Sequence, residues 1–89
     1  MKIKLELFGS SRDFSDKDYL ELEVQDKASV DDLKNEIIEY LNKNFKGNEA
    51  FIKIVKSSAF CSENNEIISD NYKITKDQKI GIIPPIGGG

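Results

Sequence analysis

Residues 2–8 alternate, with Ile3, Leu5 and Leu7 on one side and Lys2, Lys4 and Glu6 on the other. A period of two is that of a strand with one buried face. Phe8 falls on the polar side, so this aromatic either folds over the edge of the core or is an exposed contact. Gly9-Ser10-Ser11 predicts a turn. Alternation returns over 19–24, with Leu20, Leu22 and Val24 inward and Glu21 and Glu23 outward. This predicts a second strand, antiparallel to the first.

The period then changes. After the loop Gln25-Asp26-Lys27-Ala28, Ser29 and Asp32 have the spacing of a capping box, and Asp31 and Asp32 suit the positive end of a helix dipole. Val30, Leu33, Ile37 and Leu41 recur at three and four residues, widened by Ile38 and Tyr40, which predicts a helix to about Asn44 with Gly47 as its stop. Phe51, Ile52, Ile54 and Val55 suggest a third strand over 51–56, followed by short strands near 58–61 and 66–68 around the turn Ser62-Glu63-Asn64-Asn65. A turn-rich stretch over 74–78 leads to a last strand over 79–83, whose run Ile80-Gly81-Ile82-Ile83 is apolar enough for a central strand buried on both faces. The elements predict an α+β fold in which one main helix covers a mixed sheet of four to five strands. If the last strand lies beside the first, the topology is a β-grasp, or ubiquitin-like, fold with a flexible C-terminal glycine tail.

At 89 residues the chain holds one core, over 1–83, with residues 84–89 as an extended tail. Net charge is −3 and the basic residues are interspersed with acids, which argues against a nucleic-acid surface. The acidic lean from Asp13 to Asp26 reads as a solvated face. There is no histidine, hence no ordinary general base near neutral pH, and no metal site is expected. The single cysteine, Cys61, reads as a packed thiol. No run is apolar and long enough for a membrane span or a secretory leader, so a cytoplasmic protein is expected.

Candidate chemistry is concentrated in Pro84-Pro85-Ile86-Gly87-Gly88-Gly89. Paired prolines stiffen the base of the arm and end strand pairing. Glycines offer no side chain, but they leave a bare backbone that can pass through a narrow channel. The group left to react is the carboxylate of Gly89. An inert, frayed end is the alternative.

With these pieces in order, the chain resembles the MoaD-type small subunit of molybdopterin synthase, within the MoaD/ThiS group of ubiquitin-like sulfur carriers. Phe8-Gly9-Ser10-Ser11-Arg12-Asp13 is similar to that family's Phe-Ala-x-x-Arg-Glu, and Ser29-Val30-Asp31-Asp32-Leu33 to its Thr-Val-x-x-Leu. Ile74-Thr75-Lys76-Asp77-Gln78-Lys79-Ile80 resembles its Leu-x-x-Gly-Asp-x-Val, without the glycine. Ile82-Ile83-Pro84-Pro85-Ile86-Gly87-Gly88-Gly89 is similar to its Ile-Pro-Pro-Val-Ser-Gly-Gly end, with Gly87 where Ser or Thr is usual. The segment 57–71 departs from the pattern. The resemblance implies that a MoeB-type enzyme uses ATP to adenylate Gly89, that a persulfide converts the adenylate to a thiocarboxylate, and that the tail enters a MoaE-type large subunit. There it would donate sulfur to cyclic pyranopterin monophosphate, with no cofactor bound to this chain and the catalytic groups on the partner. Gly87 and Gly88 would thread, while Phe8, Arg12, Ile83, Pro84, Pro85 and Ile86 would contact partners. Carriers for thiazole synthesis or tRNA thiolation, a ubiquitin-like protein modifier, and an inert interaction module share enough of these features to stay open.

Overall fold

The computed structural model describes residues 1–85. The first strand, β1 (Lys2–Leu7), pairs antiparallel with β2 (Tyr19–Glu23) and parallel with the last strand, β7 (Gln78–Ile83). Two short strands, β4 (Ala59–Cys61) and β5 (Ile67–Ile68), extend the sheet beyond β7 to the order β2-β1-β7-β4-β5. The two ends of the chain are thus neighbours at the centre of a mixed sheet, with one long helix, α1 (Val30–Phe45), packed across one face. This is the β-grasp arrangement.

The core follows the periodicities. Ile3, Leu5 and Leu7 from β1, Ile80 and Ile82 from β7, and Phe60 from β4 meet Val30, Leu33, Ile37 and Leu41 of α1. All ten are buried. The start of α1 is held by three separate devices. Ser29 Oγ accepts from the Asp32 N–H at 3.1 Å while the Asp32 carboxylate accepts from the Ser29 N–H at 3.0 Å, the reciprocal capping box. The Val30 and Asp31 N–H groups donate to the carbonyls of Tyr72 and Asp70. The two-residue ladder of β3 (Ala28–Ser29) and β6 (Lys73–Ile74) ties the same segments together. Donors that a helix start leaves unpaired are therefore satisfied by a segment forty residues further along the chain. The helix ends with Lys46 in the left-handed region, just before Gly47.

The strand expected over 51–56 is a helix, α2 (Glu49–Ser57). Asn48 caps it, its side chain accepting from the Phe51 N–H at 3.2 Å. The apolar residues at 51, 52, 54 and 55 fit one face of a helix as well as a buried strand, and packing decides between them. Phe51 packs between Phe14 and Phe45 in tilted and edge-on contacts, with ring centroids 5.1 Å away on each side. Phe14 closes the 3₁₀ helix Gly9–Phe14, which replaces the simple turn expected after β1. The Tyr40 hydroxyl donates to the Phe14 carbonyl at 2.8 Å and fastens that segment to α1.

Candidate functional site

Alternation puts Lys2, Lys4, Glu6 and Phe8 on the sheet face opposite α1, together with Lys79, Gly81 and Ile83 from β7, Ala59 and Cys61 from β4, and Ile67 from β5. This outer face has two unlike halves. Over β1 and β2 it is a charged lattice. Lys2 lies opposite Glu23 and Lys4 opposite Glu21, Lys79 Nζ is 3.6 Å from Glu6, and Lys4 Nζ sits 4.6 Å above the Tyr19 ring. Opposite charges across a ladder give a modestly stabilised, well-hydrated surface.

The other half is apolar. Phe8, Ile83 and Ile67 are 46%, 36% and 67% exposed, and Cys61, on the strand between those of Ile67 and Ile83, is buried. Phe8 does not fold over the core: it remains exposed on the outer face, and its ring bends back onto Gly81. A Cβ built on Gly81 would lie 3.0 Å from Phe8 Cε2 and 2.8 Å from Cys61 Sγ. Gly81 is buried for that reason. The last strand is thus covered on both faces at Gly81, while Lys79 and Ile83 remain exposed. Ile83 belongs to the outer face rather than the core. Ile67 was not foreseen, because its place beside Cys61 depends on the β4–β5 register and not on any local pattern.

Arg12 is exposed on the 3₁₀ helix that begins one residue after Phe8. Pro84 is buried and Pro85 exposed where the chain leaves β7. Ile86, Gly87, Gly88 and Gly89, the threading and reactive positions expected from the sequence, lie outside the described residues. Among the described residues, no group of three or more His, Cys, Asp and Glu side chains is placed to hold a metal, and no helix is long and apolar enough to cross a membrane. What the geometry supplies is an apolar island on the outer face, adjoining the point where the chain departs toward the glycines.

The family model for the ThiS family matches residues 5–89. The chain belongs to the ThiS family. That assignment covers nearly the whole sequence, including Phe8, Arg12, Ile83 and the terminal glycines. No curated protein sequence matches the chain. Among solved structures, this ThiS-family chain is similar to a protein named molybdopterin converting factor, subunit 1, from Pyrococcus furiosus. The TM-score is 0.70 at 24% identity, over 96% of this chain and 98% of that one. It is also similar to small archaeal modifier protein 1 of Haloferax volcanii, in two structures. One has a TM-score of 0.69 at 15% identity over the full length of both chains. The other has a TM-score of 0.68 at 13% identity over 96% of this chain and 98% of that one. At these identities the likeness is one of fold, and it agrees with the β-grasp topology derived from the strand order.

Proposed function

We propose that this ThiS-family chain is the sulfur-carrier subunit of a molybdopterin synthase, with the carboxylate of Gly89 as its working group. The observation that carries this reading is the family match running through the Pro84-Pro85-Ile86-Gly87-Gly88-Gly89 end. A carboxylate is a poor electrophile, so a MoeB-type enzyme would first join it to AMP from ATP, releasing pyrophosphate. The terminal sulfur of a donor persulfide would then displace AMP to form an acyl disulfide, and a second thiol of the donor or the activating enzyme would cleave its S–S bond, leaving a thiocarboxylate on Gly89 and a disulfide on the donor side. The tail would insert into a MoaE-type large subunit, and two loaded carriers in succession would convert cyclic pyranopterin monophosphate to the dithiolene. Gly87 and Gly88 would let the arm pass without side-chain clashes. Phe8, Ile83 and Ile67 would dock on the partner, with Arg12 at the rim of the contact. The chain would be a regenerated co-substrate, and the groups that move protons would be the partner's.

The likeness to the Haloferax modifier protein favours a second reading, in which the same activated carboxyl is joined to lysines of other proteins. Intact mass separates the two. Incubation with ATP, the adenylating enzyme and a sulfur donor should add about 16 Da at Gly89, one oxygen replaced by sulfur. The large subunit with cyclic pyranopterin monophosphate should then discharge it. Discharge into high-mass isopeptide adducts would establish the modifier instead. No gain, with the enzyme active on a control carrier, would end the sulfur reading.

A further inference from the structure

The five-stranded sheet ends in β2 on one side and β5 on the other, and the two edges differ. β5 is only two residues long, which leaves little edge to pair. β2 runs for five residues, Tyr19–Glu23, with no proline and no break in its register against β1. The Leu7 N–H donates to the Asp18 carbonyl and the Val24 N–H to the Met1 carbonyl, both at 2.9 Å and both in that register. Hydrogen-bonded and non-bonded pairs alternate along an antiparallel ladder, so residues 18, 20, 22 and 24 turn their backbone groups toward β1. Tyr19, Glu21 and Glu23 therefore turn theirs outward, and among the described residues no strand pairs with them. The side chains along this edge favour one sign of charge. Glu21 and Glu23 are exposed and form no ion pair among the described residues, and Lys4, opposite Glu21, lies over the Tyr19 ring instead. Past the end of β2 a cleft of about 410 Å³ opens between Val24, Asp26 and Ala28 and the first turns of α1 at Asp32, Asn35 and Glu36. Its lining holds three carboxylates against one lysine, Lys27. Leu22, on the inner side of the edge, is only half-buried.

We infer that the outer edge of β2 is a docking strip for an extended basic segment of another protein, which joins the sheet as a further strand. The backbone N–H and C=O groups of Tyr19, Glu21 and Glu23 supply the pairing. Alternation then fixes the chemistry of the segment. Its side chains on the outer face stand beside Glu21 and Glu23 and are Lys or Arg; those on the inner face stand beside Leu22 and are apolar. The carboxylates of the cleft carry the same preference for positive charge past the end of the strand. A second copy of this chain is the wrong occupant, because two β2 edges brought together would set carboxylates against carboxylates. The strip does not depend on the sulfur-carrier reading. Ile83, Cys61 and Ile67 lie two to four strand positions away from β2, so a segment held there leaves these residues of the apolar island uncovered.

The test uses the full-length protein and a dye-labelled probe peptide, Lys-Val-Lys-Val-Lys-Val-Lys, read by fluorescence anisotropy at physiological salt. Two further peptides carry methyl groups on the backbone nitrogens, of the lysines in one and of the valines in the other. A strand added to β2 turns only one of these alternate sets toward the edge. One methylated peptide, and not both, should therefore lose affinity by about tenfold or more. Replacing every lysine of the probe by glutamate should weaken binding by at least about as much. In the complex, amide hydrogen exchange at Tyr19, Glu21 and Glu23 should slow by about tenfold or more, while Leu20 and Leu22, already paired to β1, change little. Glu21→Pro removes one outward N–H and keeps the β1 ladder, so it should weaken binding with its circular dichroism unchanged. The peptide series on wild type carries the test if that variant does not fold. Equal binding of the three lysine peptides, or binding without slower exchange at those amides, means attraction of charge alone and overturns strand addition. No binding at millimolar peptide also overturns it and leaves the acidic edge as a guard against self-pairing. Dimerisation through β2, seen by sedimentation and by protection of the same amides without peptide, would overturn the choice of occupant.

Discussion

The ring of Phe8 lies over the bare Cα of Gly81, and the two residues define each other's environment. Gly81 is buried although it faces away from the core, and Phe8 has a fixed orientation although it is 46% exposed. An exposed aromatic that is held in place before binding loses less conformational freedom on docking than a mobile one.

Gly81→Ala should destabilise the fold by about 1–3 kcal/mol, because its Cβ would meet Cys61 Sγ at 2.8 Å and Phe8 Cε2 at 3.0 Å. Replacing Cys61 by Ala in the same chain removes one of those contacts. Urea denaturation of the two single variants and the double variant should therefore show a favourable coupling of about 0.5 kcal/mol or more. Simple additivity would mean that the sulfur moves aside freely.

Asn48→Ala should cost about 0.5–2 kcal/mol through loss of the α2 cap, in which Asn48 Oδ1 accepts from the Phe51 N–H. Asn48→Asp should keep most of that stability, since a carboxylate is an equally good cap and favours a helix N-terminus. Were 51–56 a strand, neither change would follow this order.

Asp32 carries a pH dependence of known sign. The hydrogen bond from the Ser29 backbone N–H, with the Ser29 side chain next and the charge of Lys73 last, outweighs the opposing desolvation and holds its carboxyl below the ordinary aspartate value. A depressed folded value means that the contribution is present at pH above the unfolded value and is lost as pH falls through the lowered one. Wild type should therefore exceed Asp32→Asn in stability near neutrality, and the gap should close under acid. A gap independent of pH would show that the charge of Asp32 plays no part.

Ile67→Lys should leave the melting temperature nearly unchanged, because the side chain is 67% exposed. If the apolar island is the docking face, the same change should weaken partner binding by about 1–2 kcal/mol, roughly 5- to 30-fold, and Phe8→Ala by at least as much. Glu23→Lys, in the charged half, should change affinity little at physiological salt. Calorimetric titration with the large subunit reads all three. Equal affinities throughout would move the interface elsewhere.

Local pattern alone determined β1, β2 and α1. Each carries a full period of alternating or three-and-four spacing, and α1 has its capping box as well, so neighbours in the chain suffice to specify it. The family-like end, Pro84 to Gly89, is likewise legible as a string of residues whose backbone properties are intrinsic. The tertiary structure decided what no window of neighbours contains. Residues 51–55 are short, β-branched and aromatic, with a spacing that suits a helix face or a buried strand, and the packing of Phe51 between Phe14 and Phe45 settles them as helix. The candidate docking face depends on register between strands far apart in the chain. Phe8 meets Gly81 and Cys61 lies beside Ile67, because parallel and antiparallel ladders bring them abreast. A sequence states which side of its own strand a residue takes; only the pairing of strands states which residues share that side.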